Sequence, residues 1–189
     1  MERVQKDDLD AFGEMFDRHQ PPLYAFLCRI VGNAALAEDL TQEVFWKVWT
    51  HRLDYDPRRS FKVWLYAVAR NAALDHLKVR LRETHFTDMP ESVRSRLEEG
   101  GEGQHHRKAR PSGDLPLQMD IRAALLSLPV EQRIAVALKE VEGHTYREIG
   151  EILGCSEGNA RVLAHRGRLT LRDLLKAHVD EEGKPCLER

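Results

Sequence analysis

Apolar residues recur along this chain at intervals of three and four and never alternate with polar ones over a sustained run, so the pattern predicts helices and no strands. Leu9, Phe12, Met15 and Phe16 form one stripe, and Leu23, Phe26, Leu27, Ile30 and Val31 form the next. Pro21 and Pro22 stand between them, and two missing amide donors predict two helices broken at the pair. Gly32-Asn33 punctuates the chain, and Asn33 is placed to cap a helix from about Ala34 to Thr50. That helix has an apolar stripe of Leu36, Leu40, Val44 and Val48, widened by Phe45, Trp46 and Trp49, while Glu38, Asp39, Gln42 and Glu43 fall on another face. A turn spans Asp54 to Arg59, and Ser60 caps a third long helix from Phe61 to about Leu81. Phe61, Trp64, Leu65, Val68, Ala69 and Ala72 read as its buried stripe, which leaves Lys62, Tyr66, Arg70, Asn71, Asp75, Lys78 and Arg82 for solvent or a partner.

Between 83 and 115 large apolar residues thin out and Gly, Pro, Ser and charge take over, the composition of a linker. Helical spacing resumes from Leu117 to Leu128, with Met119, Ile121, Leu125 and Leu128 apolar, and Pro129 ends the segment. Three further helices are expected at Val130 to Glu140, Thr145 to Leu153 and Glu157 to Ala177, separated by Glu142-Gly143-His144 and Gly154-Cys155-Ser156. The fold class is therefore all-α, with two small helical domains at 1–82 and 116–177, a flexible linker at 83–115 and a tail at 178–189.

Bulk composition narrows the function classes. The net charge of −2 supplies no global attraction to nucleic acid, but the charge is unevenly placed, with −5 on residues 1–56 and +6 on residues 57–82. Local patches must carry any such contact. Cys28, Cys155 and Cys186 are odd in number and far apart, without the spacing of a zinc site, and His105-His106 lacks neighbouring ligands, so no metal or other cofactor is expected. A reduced, cytoplasmic chain is the expectation, because the acidic start MERVQKDDLDAF is unlike a secretory leader and no run suits a bilayer. Membrane insertion is not expected. No nucleophile and base pair or phosphate-cradling Gly loop stands out, so an enzyme is not expected either.

TYREIGEILGCSEGNARVLAHRGR has the parts of a helix-turn-helix: inward Ile149 and Leu153, a small Gly150 where helices cross, a turn at Gly154, and Ser156 as the next cap. Ser156, Glu157, Asn159, Arg161, Val162 and His165 would then lie near bases, with Arg166, Arg168 and Arg172 near phosphates. On these residues alone a plain helical hairpin stays open as the alternative. In the first half, Tyr55, Arg58, Arg59, Lys62, Tyr66, Arg70, Asn71 and Lys78 combine aromatic platforms with cations, as single-stranded nucleic acid requires. Trp46, Trp49 and Trp64 read more simply as core, and the acidic face is equally a wet surface or a docking patch.

Together, the two halves resemble a family. ALAEDLTQEVFWKVW followed by DYDPRRSFKVWLYAVARNAALDHLKVRLR resembles region two of bacterial sigma factors of the extracytoplasmic-function (ECF) group, and LPVEQRIAVALKEVEGHTYREIGEILGCSEGNARVLAHRGR resembles their region four. The resemblance implies a dissociable subunit that joins core RNA polymerase and directs it to promoter DNA, duplex and melted, often restrained by an anti-sigma factor. It gives Asp39, Gln42 and Glu43 the polymerase contact. Capture of the melted minus-ten strand falls to Tyr55, Arg58, Arg59, Lys62, Arg70, Asn71 and Lys78, and reading of the minus-thirty-five duplex to the second domain. Two other classes remain in play at this level: a self-sufficient helix-turn-helix regulator, and a helical interaction protein with no DNA function.

The recognition segment departs from the family's common GTVKSRLHRAR. Here it reads GNARVLAHRGR, with Asn159, Ala160, Val162, Leu163 and Ala164 among the differing positions. Two alanines bury less than the usual pair, and the arginine expected at 163 is absent, so promoter preference does not transfer from relatives. Leu163 either packs inward to compensate or stands exposed for a partner.

Overall fold

The computed structural model describes residues 1–87 and 116–176, with side chains at 1–78 and 121–176. Seven α-helices occur among the described residues: α1 (Leu9–Val31), α2 (Ala34–Thr50), α3 (Phe61–Thr87), α4 (Pro116–Ser127), α5 (Val130–Val136, continued by a π-helical turn Ala137–Val141), α6 (Tyr146–Leu153) and α7 (Glu157–Leu174). No strand occurs among the described residues. Helix α3 runs on through residues 83–87, which were expected to open the linker; the rest of the expected linker, with His105 and His106, and the tail from 178, with Cys186, lie outside the described residues.

The first correction concerns α1, which is one helix rather than two and runs through Pro21 and Pro22. Each proline removes the amide that would bond the carbonyl four residues back, at Asp17 and Arg18. Both of those residues are exposed, so water can serve their carbonyls, while Met15 on one side and Leu23, Phe26 and Leu27 on the other anchor the helix in one core. Packing on both flanks outweighs the local loss. Side chains start the helices: Asn33 accepts from Leu36 N (3.1 Å) as expected, Asp8 accepts from Ala11 N (2.9 Å), and Thr145 and Glu148 form a reciprocal capping box.

Helices α1, α2 and α3 enclose the first core around Phe26, Leu27, Ile30, Leu40, Val44, Val48 and Leu65. The second core joins α5, α6 and α7 through Ile134, Leu138, Ile149, Ile152, Ala160 and Ala164. These two cores abut, with α6 lying against α3 and α4 against α1. Gly32, at φ +69°, ends α1 where a Cβ would meet Leu126 Cδ1 at 2.7 Å, so the left-handed turn also makes room for α4.

Candidate nucleic-acid and polymerase interfaces

On α7 the inward residues are small. Ala160, Ala164 and Gly167 are buried, and a Cβ on Gly167 would meet Val136 Cγ2 at 2.6 Å and Gln132 O at 3.2 Å, so glycine sets how closely α7 crosses α5. Gly150 plays the same part for α6, its added Cβ falling 2.8 Å from Cys155 O. Gly154 turns the chain at φ +66°, and Ser156 Oγ accepts from Asn159 N at 3.2 Å. Leu163 packs toward the core, which settles its side in favour of compensation for the two alanines.

With the small residues turned in, Ser156, Glu157, Asn159, Arg161, Val162, His165, Arg166, Arg168 and Arg172 are all exposed on the outer side of α7. Arg161 stacks over the Tyr146 ring at 5.0 Å and pairs with Glu157 at 3.2 Å; Arg168 pairs with Glu140 at 2.9 Å. Tyr146 was not singled out from the sequence. It stands at the start of α6 and lines a cleft of about 450 Å³ with Arg161, Val162, His165, Arg166 and Arg168. Only the pairing of a short α6 with α7 brings it there, so no local pattern marks it.

The basic turn of the first domain is braced from within. Arg58 N donates to Asp56 Oδ1 at 3.0 Å, Arg59 N to Asp56 O at 3.0 Å, and Gln5 Nε2 to the carbonyls of Arg52 and Tyr55, both at 2.9 Å. Tyr55 is buried against Trp64 and Phe61 and donates its hydroxyl to Arg59 O at 2.5 Å, so it shapes the turn rather than facing outward. Burial raises its phenol pKa and keeps that donor protonated. Arg58 and Arg59 are exposed, as are Asn71 and Lys78. Beside the turn, Lys47, His51, Asp54, Trp64, Val68 and Asn71 line a cleft of about 320 Å³.

Two expectations about aromatic residues are corrected. Trp46, read as core, is 67% exposed and continues the face of Glu38, Asp39, Gln42 and Glu43 along α2, because it falls outside the row occupied by Val44 and Val48. Trp49 and Trp64 do pack against the core. Conversely Tyr66, left for solvent or a partner, is 1% exposed. The second domain covers it: its hydroxyl donates to Glu142 Oε2 at 2.5 Å and its ring lies edge-on to His144 at 5.1 Å. Lys62 and Arg70 are partly covered with it, Lys62 Nζ donating to Glu142 O at 2.6 Å and Arg70 lying 3.6 Å from Glu131 Oε1.

Known proteins match the chain in two stretches. Residues 15–83 match the family Sigma-70 region 2, and residues 118–171 match Sigma-70, region 4. The chain is 39% identical to RNA polymerase sigma factor CarQ of Myxococcus xanthus over 93% of its own length and 95% of that protein's. It is 30% identical to ECF RNA polymerase sigma factor SigW of Bacillus subtilis over 93% and 95% of the respective lengths. Among solved structures it is similar to sigma factor RpoE of Bartonella quintana, in complex with the anti-sigma factor NepR, at a TM-score of 0.66 and 26% identity over 88% of this chain and 97% of that one. CnrH, in complex with the cytosolic domain of CnrY, shares the fold at a TM-score of 0.66 and 20% identity, over 93% and 94% of the two chains. A self-sufficient helix-turn-helix regulator accounts for the second match but leaves the first without a reason. The chain belongs to the ECF group of the sigma-70 family, the sigma factors that direct RNA polymerase to promoters.

Proposed function

We propose that the chain divides promoter recognition between domains at 1–82 and 116–177, joined by the linker at 83–115. Asp39, Gln42 and Glu43 on α2, with Trp46 beside them, dock on core polymerase. Arg58, Arg59 and Asn71, with Lys62, Arg70 and Lys78 along α3, hold the melted minus-ten strand, and Tyr55 keeps the turn in shape. Unstacking costs a few kcal/mol per base, and a base seated in the cleft beside Trp64 and Asn71 offsets it. On α7, Asn159, Arg161, Val162 and His165 read the minus-thirty-five duplex while Arg166, Arg168 and Arg172 meet phosphates. The observation that carries this reading is the two-sidedness of α7, with Ala160, Ala164 and Gly167 turned in and every one of those readers turned out. The chain works in the cytoplasm without chemistry of its own, and an anti-sigma factor restrains it, as one accompanies the similar sigma factor of Bartonella quintana.

Separate defects test the division. Arg161→Ala is expected to weaken minus-thirty-five recognition by about 1–3 kcal/mol, read as loss of duplex binding by the holoenzyme. Arg58→Ala and Asn71→Ala leave that binding intact and slow strand opening, read by permanganate footprinting of unpaired thymines. Indistinguishable defects in all three variants would contradict the assignment.

A further inference from the structure

Between α2 and the basic turn the chain makes a single 3-10 turn, Arg52–Asp54. So short a helix leaves carbonyls that its own amides cannot serve. A glutamine amide carries two N–H donors on one nitrogen, and Gln5 Nε2 uses both here, at 2.9 Å to Arg52 O and 2.9 Å to Tyr55 O, from 47 and 50 residues away in sequence. The two bonds span the turn and fix the direction in which the backbone leaves it for Arg58 and Arg59.

The segment that carries Gln5 is itself tied down. Val4 beside it is 1% exposed, and Asp7 N and Asp8 N donate to Val4 O and Arg3 O at 3.1 and 3.2 Å, which joins the segment to Asp8, the cap of α1. Asp7, in the left-handed conformation at φ +62°, accepts from Arg52 Nε at 2.8 Å. Arg52 also donates to Trp49 O at 2.9 Å and lies over the Trp49 ring at 4.5 Å, and its side chain is 19% exposed. Although it neighbours the basic turn, this arginine holds the 3-10 turn in place and is not offered to nucleic acid.

The braced backbone forms part of the cleft described above. His51 and Asp54 stand at the two ends of the 3-10 turn, pair at 3.0 Å, and line that cleft with Trp64 and Asn71 of α3. A slot that receives a flat base tolerates little change in width.

We infer that Gln5, through its two bonds to the backbone at Arg52 and Tyr55, is a positioning residue that sets the cleft to receive an unstacked base of the minus-ten strand. The inference rests on the strand-capture reading given above. Gln5 acts through His51 and Asp54, not by contact with the strand.

The test uses holoenzyme assembled from purified core polymerase and the full chain. Its probe is a single-stranded oligonucleotide with the minus-ten sequence of a promoter that wild type selects, either intact or made abasic at each position in turn. Wild type is expected to bind one of the abasic copies at least about fivefold more weakly than the intact one, as the loss of one stacked base requires. Gln5→Met, which keeps the length of the side chain and removes both donors, is expected to bind that copy and the intact one alike, with unchanged affinity for core and for minus-thirty-five duplex. A general loss of structure would instead weaken every copy and keep their ratio. Arg52→Met, which frees the same turn from Asp7 and Trp49, is expected to lose the same discrimination, and serves if Gln5→Met loses helical circular dichroism. Discrimination as large in the variants as in wild type overturns the inference. A wild type that binds every copy equally contradicts strand capture in the cleft and removes the inference with it.

Discussion

Gly158 and Gly167 stand nine residues apart on the same helix and call for opposite outcomes. An alanine Cβ at 158 meets nothing closer than Ser156 Oγ at 3.9 Å, so the helix gains about 0.5–1 kcal/mol from the lost flexibility of glycine. At 167 the same methyl strikes Val136 Cγ2 at 2.6 Å, and overpacking of about 1–3 kcal/mol exceeds that gain. Urea unfolding is expected to shift to a higher midpoint for Gly158→Ala and a lower one for Gly167→Ala; a higher midpoint for both would show that α7 can move away from α5 at no cost. In the family's common GTVKSRLHRAR the position of Gly167 is an alanine, so this glycine is a further departure, and the close crossing that it permits goes with the small Ala160 and Ala164, while Asn159 and Val162 alter what the outer face presents.

At the scale of the element, the turn between α5 and α6 holds a group sensitive to acid. His144 is buried between its own domain and Tyr66; Lys62 also lowers its pKa, Glu148 and Glu142 oppose, and desolvation is the largest effect, with a net shift downward. A lowered folded-state pKa means that this histidine's share of stability is whole above about pH 6.5, its ordinary value, and is lost as pH falls below it, since the unfolded chain takes the proton first. His19, also desolvated, acts in the same direction. Comparing urea midpoints at pH 7.5 and 5.5, His144→Phe is expected to lose part of the acid-side drop and keep the share due to His19; an unchanged drop would contradict the account of His144. Much at this scale was legible in advance, because capping and turn chemistry are local: Asn33, Ser156, Gly154 and both ends of α2 fall where the pattern puts them. The continuity of α1 and the burial of Tyr66 were not legible. Each is decided by a partner far along the chain, as with Tyr66 and Glu142, 76 residues apart, and helical periodicity cannot tell a row facing water from one facing another domain.

Over the whole molecule, the uneven charge has a structural counterpart. Glu38, Asp39 and Glu43 stand on the exposed face of α2, and the positive stretch from 57 to 82 becomes the braced turn and α3, so the first 82 residues present separate surfaces of opposite sign. Among the described residues no helix is long and apolar enough to cross a membrane. The residues of α7 expected to read DNA are exposed; of the set expected to hold the strand, Tyr55 is buried against Phe61 and Trp64 of its own domain, and Lys62 and Arg70 are partly covered by the second domain, a packing that is written in no single segment. The central claim is that this chain, joined to core through α2, selects promoters. Its most direct test is in vitro transcription with purified core polymerase on a genomic fragment library, with the wild-type chain, with Asp39→Arg and Glu43→Arg combined, and with no added chain. Wild type is expected to yield initiation at a distinct set of start sites preceded by common minus-ten and minus-thirty-five sequences, and the charge-reversed variant is expected to yield none; start sites that are the same with and without the chain would contradict the account.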